Sequence, residues 1–500
     1  MEKTAYLSVT DKTGIADLAD GLIQAGFHVY SSGSTAKTLR QAEHIIEEIP
    51  DPPPRCESVI KALGANPDVP QVEEFPVPKP SVVAANLYPL AQVLKQKDLS
   101  IEELPHYLDI WTSALLRTAA RAFNDTIVLC DPLDYGPTVE ALLEFGELSL
   151  ERRRHLASKA YSYCAYYDST IAQYLMEKRD LMMTDELVMG LKKICDLPYG
   201  ENPHQKSALY SLSGARNWGV TALKELQGKP LNLNHYLDLD TSWDLAGEFD
   251  EPACAMVKHC HPCGVACSSN LSEAFRLAFR ADPQGALGGT AALNRQVDAE
   301  TARVLTEEFV ECVVAPDYSE EALAILKLKK VLHILSLPST LLSPGELQIY
   351  SVSGGVLLEE KNNQTFLRET GQVTKRLPSD IELHSLKFAW KVAKHAKSYA
   401  VVLVQGTRTV GIGTGQPSRL DSLKIALNKA AEKHPIVDPH APIVLASDCS
   451  LPLKCLHEAA KAGITAIIQP GGAPEDKDCV SVCDSRNMTM LFTGIRHLKH

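Results

Sequence analysis

A strand, a polar turn and a helix, repeated twice in the first forty residues, constrain this chain more than any other feature. Ala5-Tyr6-Leu7-Ser8-Val9 reads as a short apolar strand, Thr10 to Gly14 as a polar turn, and Ile15 to Ala25 has helical apolar spacing. Phe27-His28-Val29-Tyr30 is a second strand that runs into Ser31-Ser32-Gly33-Ser34-Thr35-Ala36. Such alternation predicts a parallel sheet that binds ligands beyond the carboxyl ends of its strands. Both loops end where a helix begins, and two readings stay open. The free N–H groups and hydroxyls could hold an anion, or Ser and Thr could simply cap the helices.

Further along, Val82 to Leu87 reads as a strand, Ile101 to Leu108 and Ser113 to Ala122 as helices, and Thr126 to Cys130 as a strand. Between them, Pro50 to Pro80 carries nine prolines, and an irregular loop is expected there. A charged helical stretch from Leu150 to Leu181 closes or connects the first domain, which ends between Lys178 and Leu197. The second half is again α/β. Ala253 to Val257 is a buried strand ending at Lys258-His259, Ser272 to Ala281 a helix and Glu311 to Pro316 a strand. A subdomain boundary is expected near the turn-rich Ser343 to Tyr350 or slightly later. Ala400–Val404 and Thr409–Ile412 form an expected hairpin around Gly406, and Ile443–Ala446 and Thr465–Gln469 are buried strands. No strong internal repeat is visible.

Five hundred residues exceed one core, so two or three domains are expected. A net charge of -12 leaves no basic surplus for bulk nucleic-acid binding. No apolar run is long enough to span a bilayer, and the N-terminus lacks a secretory layout, so a cytoplasmic protein without membrane contact is expected. The 13 scattered cysteines then read as reduced, mostly buried thiols. Cys260-His261-Pro262-Cys263 is a CxxC, but Pro262 and Gly264 suggest a loop rather than a redox helix start. The looser Cys479/Cys483 pair does not complete a structural zinc set, so no metal is expected.

A series of motifs resembles the bifunctional PurH family (AICAR transformylase and IMP cyclohydrolase) from one end of the chain to the other. They are Leu7-Ser8-Val9-Thr10-Asp11-Lys12-Thr13-Gly14, Ser32-Gly33-Ser34-Thr35-Ala36, Asn86-Leu87-Tyr88-Pro89 and Tyr199-Gly200-Glu201-Asn202-Pro203-His204-Gln205. Val257-Lys258-His259 with Pro262-Cys263-Gly264 follows, then Gly411 to Arg419, Gln469-Pro470-Gly471-Gly472 and Phe492 to His497. The resemblance implies an α/β fold. A methylglyoxal-synthase-like parallel-sheet domain (residues 1–190) would precede a transformylase domain of two cytidine-deaminase-like subdomains (191–360 and 361–500). It also implies homodimers, and formyl transfer from 10-formyltetrahydrofolate to the 5-amino group of AICAR or a related phosphorylated imidazole nucleotide.

That amine is conjugated with a carboxamide and nucleophilically poor, so it needs a base as it attacks; His259 is the candidate, with Lys258 giving a proton to the departing folate nitrogen. Standing alone, a Lys-His dipeptide at a strand end reads as solvated charge; within the matched loop it reads as an acid–base pair. The resemblance assigns Tyr199, His235, Gly288, Gly289, Glu311 and Arg496 to the nucleotide, and Leu287, Tyr399, Arg419 and Cys455 to the folate. Its cyclohydrolase-like site would comprise Ser8, Lys12, Thr13, Gly14, Ser32, Gly33, Ser34, Thr35, Tyr88, Asp109 and Arg121. Zinc deamination is excluded on paper: Cys263 is followed by Cys267, one residue too far, and no suitable His-x-Glu lies upstream.

Several positions depart from the family. Its Gly-Arg-Val-Lys-Thr-Leu-His-Pro motif, which carries the cyclohydrolase lysine, is absent between Thr35 and Asn86. Asp109-Ile110-Trp111-Thr112 replaces Asp-Ile-Gly-Gly, so Trp111 would fill space that two glycines leave open. Arg121 stands at a lysine position, Pro198 at an arginine, His235 and Tyr399 at asparagines, Leu287 at a phenylalanine and Cys455 at an aspartate. Three readings follow: a transformylase with weak or lost cyclohydrolase, an enzyme for an analogue nucleotide, or a nonenzymatic nucleotide-binding protein.

Overall fold

In the computed structural model, the described residues are 3–49, 59, 78–97, 99–176, 184–213, 219–338, 347–366, 371–432, 438 and 440–500. The chain divides into two units, Met1–Lys192 with Ser211–Arg216, and Lys193–Tyr210 with Asn217–His500.

Unit one is built on strands β1 (Thr4–Val9), β2 (His28–Ser31), β3 (Glu47–Glu48), β4 (Val82–Asn86) and β5 (Ile127–Leu129). They pair in parallel in the order β3-β2-β1-β4-β5. Ala5, Tyr6 and Leu7 are each 0% exposed, as a central parallel strand covered on both faces requires. The order reverses between β1 and β4, which opens a crevice at their carboxyl ends. Two expectations change. Residues 101–108 hold only a 3-10 turn, Leu104–Tyr107, because Pro105 would lie inside a helix over 101–108 and has no N–H to donate to the Ile101 carbonyl. The helix from Leu150 ends at Leu175, and residues 177–183 lie outside the described set. Most of the Pro-rich segment (50–58 and 60–77) also lies outside it.

Strands β6 (Leu191–Leu197) and β7 (Ser207–Leu212) form a small separate sheet. Unit two then holds β8 (Lys224–Gln227), β9 (Ala253–Lys258), β10 (His261–Cys267), β11 (Thr290–Leu293), β12 (Cys312–Ala315) and β13 (His333–Ser336). A free hairpin, β14 (Leu347–Val352) with β15 (Gly355–Glu360), stands where turns were expected; residues 339–346 are not described. Then come β16 (Gly371–Gln372), β17 (Val401–Gln405), β18 (Arg408–Gly413), β19 (Val444–Ser447), β20 (Ala466–Gln469) and β21 (Thr489–Phe492). Twelve of these strands form one sheet, β16-β21-β20-β19-β17-β18-β10-β9-β11-β12-β13-β8.

The sheet is a duplication that residue identities hide. Asn232 caps the helix Leu233–Ala246 and Ser379 caps Asp380–His395, each through a reciprocal capping box. A constant spacing of 147 residues then matches Trp243 to Trp390, Ala253 to Ala400 and Gly264 to Gly411. Both glycines are obligatory: a Cβ would stand 1.9 Å from the Ala278 carbonyl oxygen at Gly264 and 2.1 Å from that of Ala426 at Gly411. Asn294 Oδ1 accepts from the Ala253 N–H (2.8 Å), and Asp448 Oδ1 accepts from the Ala400 N–H (3.0 Å). Few identities survive because each half needs only apolar side chains in its strands, which many residues supply.

The C-terminal segment is fixed between these halves' helices and strands. His497 is 1% exposed, its ring lies 4.7 Å from that of Trp390 at a 44° tilt, and it shares a 2.8 Å hydrogen bond with Asn362 Nδ2. Burial first, then the charges of Lys394 and His395, push its pKa from an ordinary 6.5 to about 4. The folded imidazole therefore stays neutral where the unfolded one is protonated. This stability is complete above pH 6.5 and declines as pH falls toward 4, by about 3 kcal/mol at most. The variant His497→Gln should show a stability–pH slope in that window shallower by about one proton than wild type, measured by urea unfolding. An unchanged slope would show that His497 does not titrate this way.

Candidate functional site

In unit one the loops after β1, β2 and β4 meet at the crevice. Asn86, closing β4, accepts the Thr10 and Asp11 N–H groups at 2.6 and 2.9 Å. Thr35 Oγ1 accepts the Val9 N–H at 3.0 Å. Lys12 Nζ reaches Thr35 Oγ1 (2.8 Å), Ser34 Oγ (3.1 Å) and the Val9 carbonyl. Burial lowers the Lys12 pKa, partly offset by Asp11. The ammonium is thus held over the start of the helix Gly33–Gln41.

Ser32 does not cap that helix; its hydroxyl bonds Tyr6 OH at 3.0 Å. Nor does a side chain cap the helix after Gly14, whose φ of +66° is a backbone that glycine adopts freely. Thr13 donates instead to Asp11, from its N–H and its hydroxyl, at 2.9 and 2.7 Å. The capping alternative is therefore overturned, and what remains is an uncapped helix start beneath a lysine, which favours an anion.

Ser8 is half-buried on β1. The Tyr88 N–H and Thr112 N–H both donate to Asp109, at 3.2 and 3.0 Å, so that carboxylate organises the β4 loop and caps the next helix. Trp111, at the start of that helix, is 53% exposed. One expectation fails here. Arg121 closes the helix that Asp109 opens, about 16 Å of helical rise away, which removes it from the loop cluster.

In unit two, β9 and β10 join through a two-residue turn, His259-Cys260, with Lys258 paired to His261. The CxxC is therefore a tight hairpin with a bulge between Pro262 and Gly264, not a loop. Both turn residues are left-handed, with φ of 54° and 60°. This twist suits a two-residue hairpin, yet costs a non-glycine residue roughly 1–2 kcal/mol. Asp238, on the helix Leu233–Ala246, accepts the His259 N–H at 3.1 Å and the Cys260 N–H at 2.6 Å. His259 is exposed, and Lys258 Nζ donates to the Leu287 carbonyl at 2.7 Å.

Around the turn, His261 Nδ1 lies 2.7 Å from the His259 carbonyl. Gly415 packs so closely that a Cβ there would stand 3.2 Å from His261 Nε2. Packing requires glycine at 289, since a Cβ there would meet the Val257 carbonyl oxygen at 2.8 Å. Gly288 has φ +69°.

His235 accepts the Asn232 N–H at Nδ1 (3.1 Å), which leaves Nε2 to carry the proton toward Glu311 Oε1 at 3.2 Å. Asn232 Nδ2 donates to Tyr199 OH at 2.7 Å. One cap residue thus ties Tyr199, His235 and Glu311 together.

The second half contributes Tyr399, with the Arg419 guanidinium 4.3 Å from its ring centre, and Arg419 Nε donates to Cys449 Sγ at 3.0 Å. Cys455 is 0% exposed, and burial raises its thiol to about 11, so it packs in the core and offers nothing to a ligand. Leu287 is half exposed, and Arg496 is exposed. Arg496 sits on a segment anchored by the His497 N–H to the Asp448 carbonyl (3.1 Å) and the Lys499 N–H to Ser398 Oγ (3.0 Å).

A cavity of about 770 Å³ lies elsewhere, beside Thr407 and Lys391, and none of the residues assigned above lines it. Among the described residues no helix is long and apolar enough to cross a membrane, and no group of three metal-binding side chains occurs.

Sequence reading missed Asp238 and Asn232. The signal for Asn232 was present, as Asn is among the residues preferred at a helix N-cap. Asp238 gave none, because its partners lie 21 and 22 residues on.

A family model described as "AICARFT/IMPCHase bienzyme" matches residues 119–429. Relatives called "Bifunctional purine biosynthesis protein PurH", from Bacillus cereus (strain B4264) and Bacillus anthracis (strain CDC 684 / NRRL 3495), are each 38% identical over 517 residues. Each alignment covers 100% of this chain and 100% of the relative. A solved structure described as "Crystal structure of ForH" is 27% identical, covering 35% of this chain and 100% of that one at a TM-score of 0.30.

The double role of Asn232 gives a direct test. Asn232→Ala should lower the stability of unit two by about 1 kcal/mol in urea unfolding, the usual worth of a helix cap. A loss within a few tenths would mean that the cap contributes little.

Proposed function

The chain belongs to the AICARFT/IMPCHase bienzyme family of purine biosynthesis, and from that premise we propose that its principal activity is AICAR formyl transfer with ring closure to IMP weakened or lost. The observation that carries the reading is the Lys258-His259 pair at a rigid hairpin turn. The exposed His259 imidazole takes a proton from the attacking 5-amino group as it bonds to the formyl carbon. Lys258, steered by the Leu287 carbonyl, supplies a proton to the folate nitrogen as its bond to that carbon breaks. Tyr199, His235, Glu311 and Arg496 are assigned to the nucleotide, with Arg496 suited to phosphate by its forked donors. Tyr399 and Arg419 are assigned to the 10-formyltetrahydrofolate side, as a stacked aromatic and cation.

The weakened cyclohydrolase rests on the sequence: no Gly-Arg-Val-Lys-Thr-Leu-His-Pro stretch stands between Thr35 and Asn86. The Lys12, Ser34 and Thr35 cluster supports a retained anion site in residues 1–190. The split into 191–360 and 361–500 is supported by the paired capping boxes. Homodimerisation and a cytoplasmic location complete the proposal; buried free thiols such as Cys254 and Cys312 suit a reducing compartment.

Purified protein given AICAR and 10-formyltetrahydrofolate should release tetrahydrofolate with little IMP. His259→Ala should cut tetrahydrofolate release by about 10²- to 10⁴-fold, the usual contribution of a positioned base. Equal production of IMP would overturn the weakened cyclohydrolase. No turnover, with AICAR still bound, would favour an analogue substrate.

A further inference from the structure

We infer that Asp238 is a positioning residue for formyl transfer, holding His259 and Cys260 in the left-handed turn that aims the imidazole; this rests on the formyl-transfer reading above. Its two carboxylate oxygens take the two successive turn N–H groups, at 3.1 and 2.6 Å. Asp238 is 9% exposed and sits on a helix that both β9 and β10 pack against, so the acceptor is fixed before any substrate arrives.

The duplication supplies an internal control. At the 147-residue spacing, the turn His259-Cys260 corresponds to Gly406-Thr407, and Lys258 to Gln405. There the left-handed position is a glycine, Gly406 with φ 64°, and Thr407 is not left-handed. The counterpart of Asp238 is Ser385, whose hydroxyl is buried without a hydrogen-bond partner. The half without the Lys-His pair thus forms its hairpin with a glycine and no carboxylate. The half with the pair keeps two side chains at left-handed positions and adds the carboxylate that offsets their strain. A glycine at either position would have made the turn easier to form, but at 259 it would have removed the base.

The test compares wild type with Asp238→Asn and with Asp238→Asn/Cys260→Gly. Asparagine keeps one acceptor oxygen, so one turn amide loses its partner. Hydrogen exchange at the His259 and Cys260 amides should accelerate at least tenfold in Asp238→Asn, with global melting little changed. The kcat for tetrahydrofolate release should fall about 100-fold while the nucleotide KM stays within about threefold, as expected when a catalytic group is misplaced and binding is not. Glycine at 260 adopts the left-handed turn without help, so the double variant should recover at least tenfold in kcat. It also provides a folded background should the single variant fold poorly. Unchanged exchange, unchanged kcat or no rescue by glycine would each overturn the assignment. A silent wild type would sink the formyl-transfer reading instead, and the exchange comparison would then decide the clamp by itself.

Discussion

The pairing of β10 with β18 is the interaction on which unit two depends. Without it the twelve-stranded sheet would be two six-stranded sheets, each with an exposed inner edge. The joint is short and strengthened by side chains. The Cys267 N–H donates to the Thr407 carbonyl, and Thr407 Oγ1 donates back to the Cys267 carbonyl, both at 2.9 Å. Thr409 Oγ1 accepts the Val265 N–H at 2.9 Å and donates to the Val265 carbonyl at 3.3 Å. Two threonines thus supply what backbone register alone does not.

Because β10 and β18 run antiparallel, the joint decides which loops meet. The start of β10, carrying the His259-Cys260 turn and His261, comes beside the end of β18, carrying Gly415. The strand after the Lys397–Tyr399 segment lies next in the sheet, which brings Tyr399 and Arg419 to the same edge. Residues more than a hundred positions apart are neighbours there because of one strand pairing. The duplicate turn, Gly406-Thr407, falls at the opposite edge, beside the 770 Å³ cavity. There Gln405-Gly406 replaces Lys258-His259, so the two edges share a frame and differ in chemistry.

Unit one applies a different rule to a similar end. Its loops gather at the carboxyl ends of parallel strands, where Asn86 and Thr35 tie the β1 loop from two sides. The ties leave Lys12 facing an uncapped helix start, a cation beside a positive dipole end. Two positive features placed together favour an anion between them, and that placement persists although the lysine-bearing motif is missing from the chain.

The sequence by itself determined the class of the fold and most of its strands, because burial on both faces forces continuous apolar runs such as Ala5–Leu7 and Ala253–Val257. It also determined the family, through motifs spread along the chain, and the Lys258-His259 pair. It misjudged Pro262 and Gly264, since their loop propensity is local while the strand is imposed by pairing with β9 and β18. It placed Arg121 and Cys455 in sites because alignment carries no direction: one side chain stands at the wrong helix end, and the other points into the core. The joining of two like halves into one continuous sheet, the role of Asn232 in linking Tyr199 to His235, and the hold of Asp238 on the turn were decided only by tertiary structure. Each depends on a hydrogen bond or a packing match between groups distant in the chain, and residue order alone does not encode that distance.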